Sequence, residues 1–393
     1  MSEPIIAFGR DPAAFADMEY AAFLKAVQWN RSAPPGLAKA ARSGDVDEFA
    51  RGLARRRGIV RKGGGRKRLS RPALNRPSLW SAASFEESLR SAELVRIWKS
   101  FGFPLKRPDA KRAVASDRRS KAKSGKLGKP SPAIPAGWSA AENELADWLD
   151  GVTSAAPVEP YELLVLFEML LAAGRALSPP ACWKLWRAAL TGAIALAIEV
   201  DDPPTETAAE DRRVVVAGEL PFLAGLLFAG IKGSAKFGRR GARFLAKALL
   251  DLTDTDGTPQ AELLERLPLW LAGLSRARQW AEAFQHPLWN DEAETRFELL
   301  LQTVTPMCRA DGTLALSNGF ATNAVPILAA AALATGFRRK SRPMRLLGAL
   351  PLAPQRDGKR TKKRPGKSRA KRGGQPVARR TGGPRPTTQS DWA

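Results

Sequence analysis

Few side chains in this sequence can exchange a proton near neutral pH. Its 393 residues include one histidine (His286), two tyrosines (Tyr20 and Tyr161) and two cysteines (Cys182 and Cys308). His286 lies in Phe284-Gln-His-Pro-Leu-Trp289, between two helical patterns. Imidazole titrates in the range a general base needs, although a lone loop histidine beside proline is more often solvated or hydrogen-bonded. The cysteines fall inside helix-like stretches and lack the further ligands of a zinc site or a disulfide framework, so both read as core residues. No Walker or GxGxxG motif is present. Lys62-Gly-Gly-Gly-Arg-Lys67 has no flanking strand and helix to shape a phosphate cradle, so neither cofactor nor metal is expected. Asp254-Thr-Asp256-Gly257 resembles the start of a calcium loop, but with Gly257 in the glycine place positions 1 and 12 are Leu252 and Leu263. Both carboxylates that close such a loop are missing, and Asp-Gly turn chemistry is the expectation.

Eleven tryptophans stand against two tyrosines. Trp183, Trp186, Trp270, Trp280 and Trp289 lie in or beside helical patterns, where an indole fills a core or stacks on a sugar ring. A sugar cleft requires several of them, Trp270 and Trp289 foremost, to gather at helix ends.

Helices must position these residues, because no segment of the body alternates with period two. Residues 14–58 look helical. Ser84-Phe-Glu-Glu87 forms a capping box for a helix over 84–101, and Ser139-Ala-Ala-Glu142 another for a helix to about 149. Over 161–176, Leu163, Leu166, Phe167, Leu170 and Leu171 make an apolar stripe at helical spacing. Ser178-Pro179 reads as N-cap and first-turn proline for a helix to about 198. Helices follow near 214–230 and over 238–252. The next opens at Thr258-Pro259, with a stripe of Leu263, Leu267, Trp270, Leu271 and Leu274. One more is capped by Asp291-Glu-Ala-Glu294 and striped by Phe297, Leu300, Leu301 and Val304. The last covers 321–335. The prediction is an all-α body of antiparallel helical hairpins packed side by side.

Charge divides the chain differently. Residues 51–130 hold 24 Lys and Arg against 5 acids, and 338–393 hold 18 against 2, whereas 131–337 hold 16 against 25. The expected organisation is a helical region at 1–103 with a flexible basic loop at 55–76, a basic linker at 104–135, a helical domain at 136–337, and a disordered basic tail at 338–393. The basic segments suit salt-sensitive, non-specific binding of a polyanion, nucleic acid included. They lack the interleaved aromatics of a base reader. The start, MSEPIIAFGRDP, lacks a signal-peptide profile. The apolar stretches are interrupted by Lys184 and Arg187 or by Glu219, or are short and alanine-rich, so no membrane span is expected. A cytoplasmic protein is the default.

Residues 214–319 resemble the N-terminal helical domain of the heparinase II/III family of polysaccharide lyases. Four pieces carry the resemblance: Gly218-Glu-Leu-Pro-Phe-Leu-Ala-Gly-Leu-Leu-Phe-Ala-Gly230, Ala246-Lys-Ala-Leu-Leu-Asp-Leu-Thr-Asp-Thr-Asp-Gly257, Leu263-Leu-Glu-Arg-Leu-Pro-Leu-Trp270 and Arg309-Ala-Asp-Gly-Thr-Leu-Ala-Leu-Ser-Asn-Gly319. It implies an incomplete (α/α) toroid, normally followed by a β-sandwich, acting on acidic polysaccharides. The turns at Glu219, Asp256-Gly257 and Asp311/Asn318 would line one rim. Where the family pattern has Gly-His and then arginine after the first Asp-Gly, this chain has proline at 259 and Glu262, and 338–393 show no sandwich pattern. A lyase needs a base and a group that neutralises the substrate carboxylate. Tyr161, His286 and Glu262 are the residues available as a base. Two functions follow as expectations. One is an acidic-polysaccharide lyase, or an inactive relative that binds such a polymer. The alternative is a non-enzymatic helical protein held on a polyanion by its basic arms.

Overall fold

The first helices form where short apolar runs meet turn residues. Tyr20–Ala26 (α1), Pro35–Ser43 (α2) and Val46–Arg56 (α3) break at Pro34-Pro35 and at Gly44, whose φ of 73° ends α2 in the left-handed region. Asp45 starts α3 by accepting the Glu48 N–H at 2.8 Å. A computed structural model describes residues 6–8, 18–56, 59–62, 65–68, 88–101, 138–155, 158–172, 177–201, 209–315, 324–335, 343 and 346–347, all within the compact unit Met1–Leu352. The linker at 104–135 lies outside these residues, as does nearly all of the tail at 338–393. Within the expected basic loop, Ile59–Lys62 (β1) pairs antiparallel with Gly65–Arg68 (β2). Two glycines stand between the strands, the composition favoured at a two-residue hairpin connection.

The remaining elements are Leu89–Ser100 (α4), Trp138–Ala155 (α5), Pro160–Ala172 (α6), Pro179–Asp201 (α7), Glu210–Arg213 (α8), a π-helical segment Val214–Glu219, Leu220–Leu227 (α9), Ser234–Asp251 (α10), Leu267–Phe284 (α11), Asp291–Val304 (α12) and Val325–Ala334 (α13). Short 3-10 turns cover Ala261–Leu263 and Thr305–Met307. The protein is mostly helical, as its periodicity requires.

Several starts differ from the sequence reading. Ser88, not Ser84, caps α4, its hydroxyl accepting the Ser91 N–H at 3.1 Å; residues 84–87 lie outside the described set. Asn290 rather than Asp291 caps α12, accepting from the Ala293 N–H at 3.0 Å. Pro259 does not open α11. It pairs with Thr253 across a tight turn, and Pro268 occupies the first helical turn instead.

The predicted stripes of α11 and α12 are buried throughout. Residues 161–170 of α6 are buried on all sides rather than along one stripe, because α6 packs against α4, α7 and α9. The N-terminal helices share this core. Phe49 of α3 makes edge contacts with Trp183 and Trp186 of α7, and Trp29 stacks on Trp186 at 6.3 Å. Arg187 lies over Tyr20 and Phe23 and donates to the Met18 carbonyl at 2.7 Å. Pro343 and Leu347, beyond the boundary drawn at 337, are buried too. Within α7, Pro179–Ile198 is long and apolar enough to cross a membrane, yet 78% of it is buried inside the protein, as in a core helix.

Candidate functional site

A charge inside an apolar helix needs a partner, and three such residues meet between α6, the π-helical segment and α11. The π turn ends on Glu219, which is fully buried. Arg276 of α11, also fully buried, grips it with two parallel bonds, Nε to Oε1 and Nη2 to Oε2, each 2.7 Å. This fork is the arrangement that can offset the desolvation of both ions. Burial pushes the Glu219 carboxyl up and the guanidinium opposes that shift. One turn along α11, the Trp280 indole N–H donates to Glu168 Oε1 of α6 at 3.0 Å. Burial raises the Glu168 pKa to about 8; the Trp280 hydrogen bond and the Arg276 charge lower it, and the Glu219 charge adds to the rise. Near neutral pH Glu168 therefore keeps its proton beside the two-bond contact of Glu219 and Arg276. Glu168 Oε2 and both side-chain polar atoms of Gln279 are buried without a hydrogen-bond partner among the described residues.

A second buried carboxylate works at the surface of the same helix. Arg90 of α4 grips Glu162 of α6 through Nε and Nη2 at 2.6 Å each, and Glu162 also accepts the Glu159 N–H at 2.9 Å. The pair ties α4 to the first turn of α6.

The Asp256-Gly257 turn is one of two equivalent turns. Asp254 N–H donates to Thr258 O at 2.8 Å, Gly257 N–H to Asp254 O at 2.9 Å, and Gln260 N–H to Leu252 O at 3.0 Å. Fifty-five positions later Arg309 donates to Thr313, Gly312 to Arg309, and Ala315 to Met307, at 2.8, 2.9 and 2.8 Å. Thr258 N–H and Thr313 N–H each donate to the carboxylate two residues back, Asp256 and Asp311, at 2.9 Å. Those bonds hold both exposed aspartates below their ordinary pKa. Gly257 and Gly312 have φ of 83° and 85°. The chain thus repeats a helix, an Asp-Gly turn and a helix.

The residues singled out in the sequence do not converge. Tyr161 is buried in the first turn of α6. Glu262 is exposed in the 3-10 turn before α11, not within the helix. His286 is exposed just after α11, with Nδ1–H donating to Pro287 O at 2.7 Å and its ring edge-on to Phe222. Eighteen helical residues, about 27 Å of helix axis, therefore separate Glu262 from His286. Glu219 and Trp270 are fully buried and offer no surface to a polymer; both are corrected from rim to core. Trp289 is half-buried, packs on Phe297 and donates to Glu294. Asn318 lies outside the described residues. Beside the Asp256 turn, a depression of about 330 Å³ is lined by Thr255, Asp291, Glu292, Thr295, Arg296 and Leu299. Its two carboxylates would repel an acidic polymer. Among the described residues no group of His, Cys, Asp and Glu is placed to hold a metal ion.

Comparison with protein-family models, curated proteins and solved structures returns no match.

Proposed function

We propose that this chain is a non-enzymatic helical scaffold that binds a polyanion, its basic segments supplying most of the attraction. The observation that carries the reading is the separation of charge: net +19 over 51–130 and +16 over 338–393, against −9 over 131–337. The groups available for lyase chemistry support it from the other side, since Tyr161 is buried in the first turn of α6 and Glu262 and His286 sit at opposite ends of α11. Counterion release then makes binding steeply salt-dependent. The full chain is expected to bind heparin or duplex DNA with an affinity that falls at least a hundredfold between about 50 and 200 mM salt. Incubation with uronic-acid polymers is expected to yield no unsaturated product by ultraviolet absorbance. Steady formation of that product would overturn the non-enzymatic reading.

A second reading concerns ancestry. The duplicated Asp-Gly turn falls on two of the four pieces that resemble the heparinase II/III helical domain, and it supports a toroid-like array of helical hairpins in which lyase chemistry has been lost. On that reading the bound polymer is an acidic polysaccharide.

A further inference from the structure

Helix α10 carries a cationic face inside the acidic part of the chain. Its inward side is Ser234, Phe237, Gly238, Gly241, Leu245, Ala248 and Leu249. Glycines fix its rotation: a Cβ on Gly225 would lie 2.5 Å from Gly238 Cα, and one on Gly241 would lie 2.5 Å from Gly218 O. With the backbone of α10 against α9 and the π-helical segment, Lys236, Arg239, Arg243 and Lys247 are all exposed on the opposite side. At 3.6 residues per turn these four and Arg240 fall within ~100° of arc and span ~16 Å of helix. The single acid of the helix, Asp251, pairs with Lys247. Among the described residues no ion pair engages Lys236, Arg239 or Arg243.

We infer that this face docks on the sugar–phosphate backbone of duplex nucleic acid, without reading sequence. The inference rests on the polyanion-binding reading and names its site and partner. The row lies along one exposed helix face and is rich in arginine, whose planar fork matches phosphate oxygens. Duplex DNA presents one negative charge per ~1.7 Å of axis, a density that engages several cations of one helix at once. A uronic-acid polymer spaces its carboxylates more widely and is gripped best with aromatic rings against the sugars, and none of the exposed large apolar side chains lies on α10. The same lack of apolar groups disfavours insertion into a lipid surface.

The test uses the full chain and a variant carrying Lys236→Ala, Arg239→Ala and Arg243→Ala, with circular dichroism and melting to show that the fold is kept. Binding to a fluorescein-labelled duplex of mixed sequence is read by anisotropy across a salt series. The expected result is a slope of log K against log salt that is shallower by about 2.7, at 0.9 per phosphate contact. Affinity near physiological salt should drop tenfold or more, equally for unrelated duplex sequences. If the variant matches the unaltered chain in slope and affinity, the basic segments do all the binding and the α10 site is refuted while the scaffold reading stands. If the unaltered chain binds neither duplex nor heparin, both fail. Stronger competition by hyaluronan or heparin than by duplex at equal charge concentration also overturns the site.

Discussion

At the scale of single residues, the buried cluster between α6 and α11 sets a measurable dependence on pH. Glu168 rises from 4.5 to about 8 because burial disfavours its charged form. An unfolded chain ionises this group near 4.5, so between pH 4.5 and about 8 the folded state holds a proton that the unfolded state has released. Its contribution to stability is therefore complete below pH 4.5 and is lost as pH rises to about 8, with a slope of at most ~1.4 kcal/mol per pH unit. Glu168→Gln keeps an oxygen for the Trp280 N–H and has no proton to lose. Denaturant titrations from pH 5 to 9 should show a flatter profile for the variant and a relative gain in stability on the alkaline side. Parallel profiles would mean that Glu168 is ionised in the fold. Part of this cluster was legible: Glu219 interrupts an apolar run. The pairing was not legible, because Glu219 and Arg276 are 57 residues apart and only a π turn aims the carboxylate inward.

At the scale of elements, glycines show which contacts are backbone on backbone. Gly257 combines a φ of 83° with a neighbour 2.3 Å from the place a Cβ would occupy, the Leu300 N of α12. Gly257→Val must strain the turn and push α12 away, so a loss well above about 1 kcal/mol is expected in chemical denaturation. Gly151, inside α5, meets nothing within 4 Å, and Gly151→Ala should instead stabilise by about 0.5–1 kcal/mol through helix propensity. Equal effects of the two substitutions would contradict the geometry. The helix cores and the Asp-Gly turns were readable because apolar spacing and turn chemistry are local signals. Helix starts were harder, since Ser88 and Asn290 compete with nearby capping residues of equal merit. The repeat of the turn geometry at 252–260 and 307–315 was readable only as two Asp-Gly-Thr triplets, at 256–258 and 311–313. Trp270 shows the limit in the other direction: it belonged to the same apolar stripe as Leu263 and Leu267, and that stripe decided its place in the core.

At the scale of the whole molecule, the fold and the charge end at different positions. Apolar periodicity stops near 335, which is why a boundary at 337 is the natural sequence reading. Leu347, however, is 3% exposed and part of the core, and Pro343 is buried with it. Residues 353–393 add 13 Lys and Arg against 2 acids and fall outside the compact unit Met1–Leu352. Two truncations separate these contributions. Ending the chain at Leu352 should leave the melting temperature unchanged within a degree or so while weakening polyanion binding and flattening its salt dependence, since cationic side chains are removed and every core residue named above is kept. Ending it at 337 removes Leu347 as well. Full burial of one leucine is worth about 1.5–3 kcal/mol, so the shorter chain should melt several degrees lower. Equal melting temperatures for the two truncations would place the end of the fold at 337 after all.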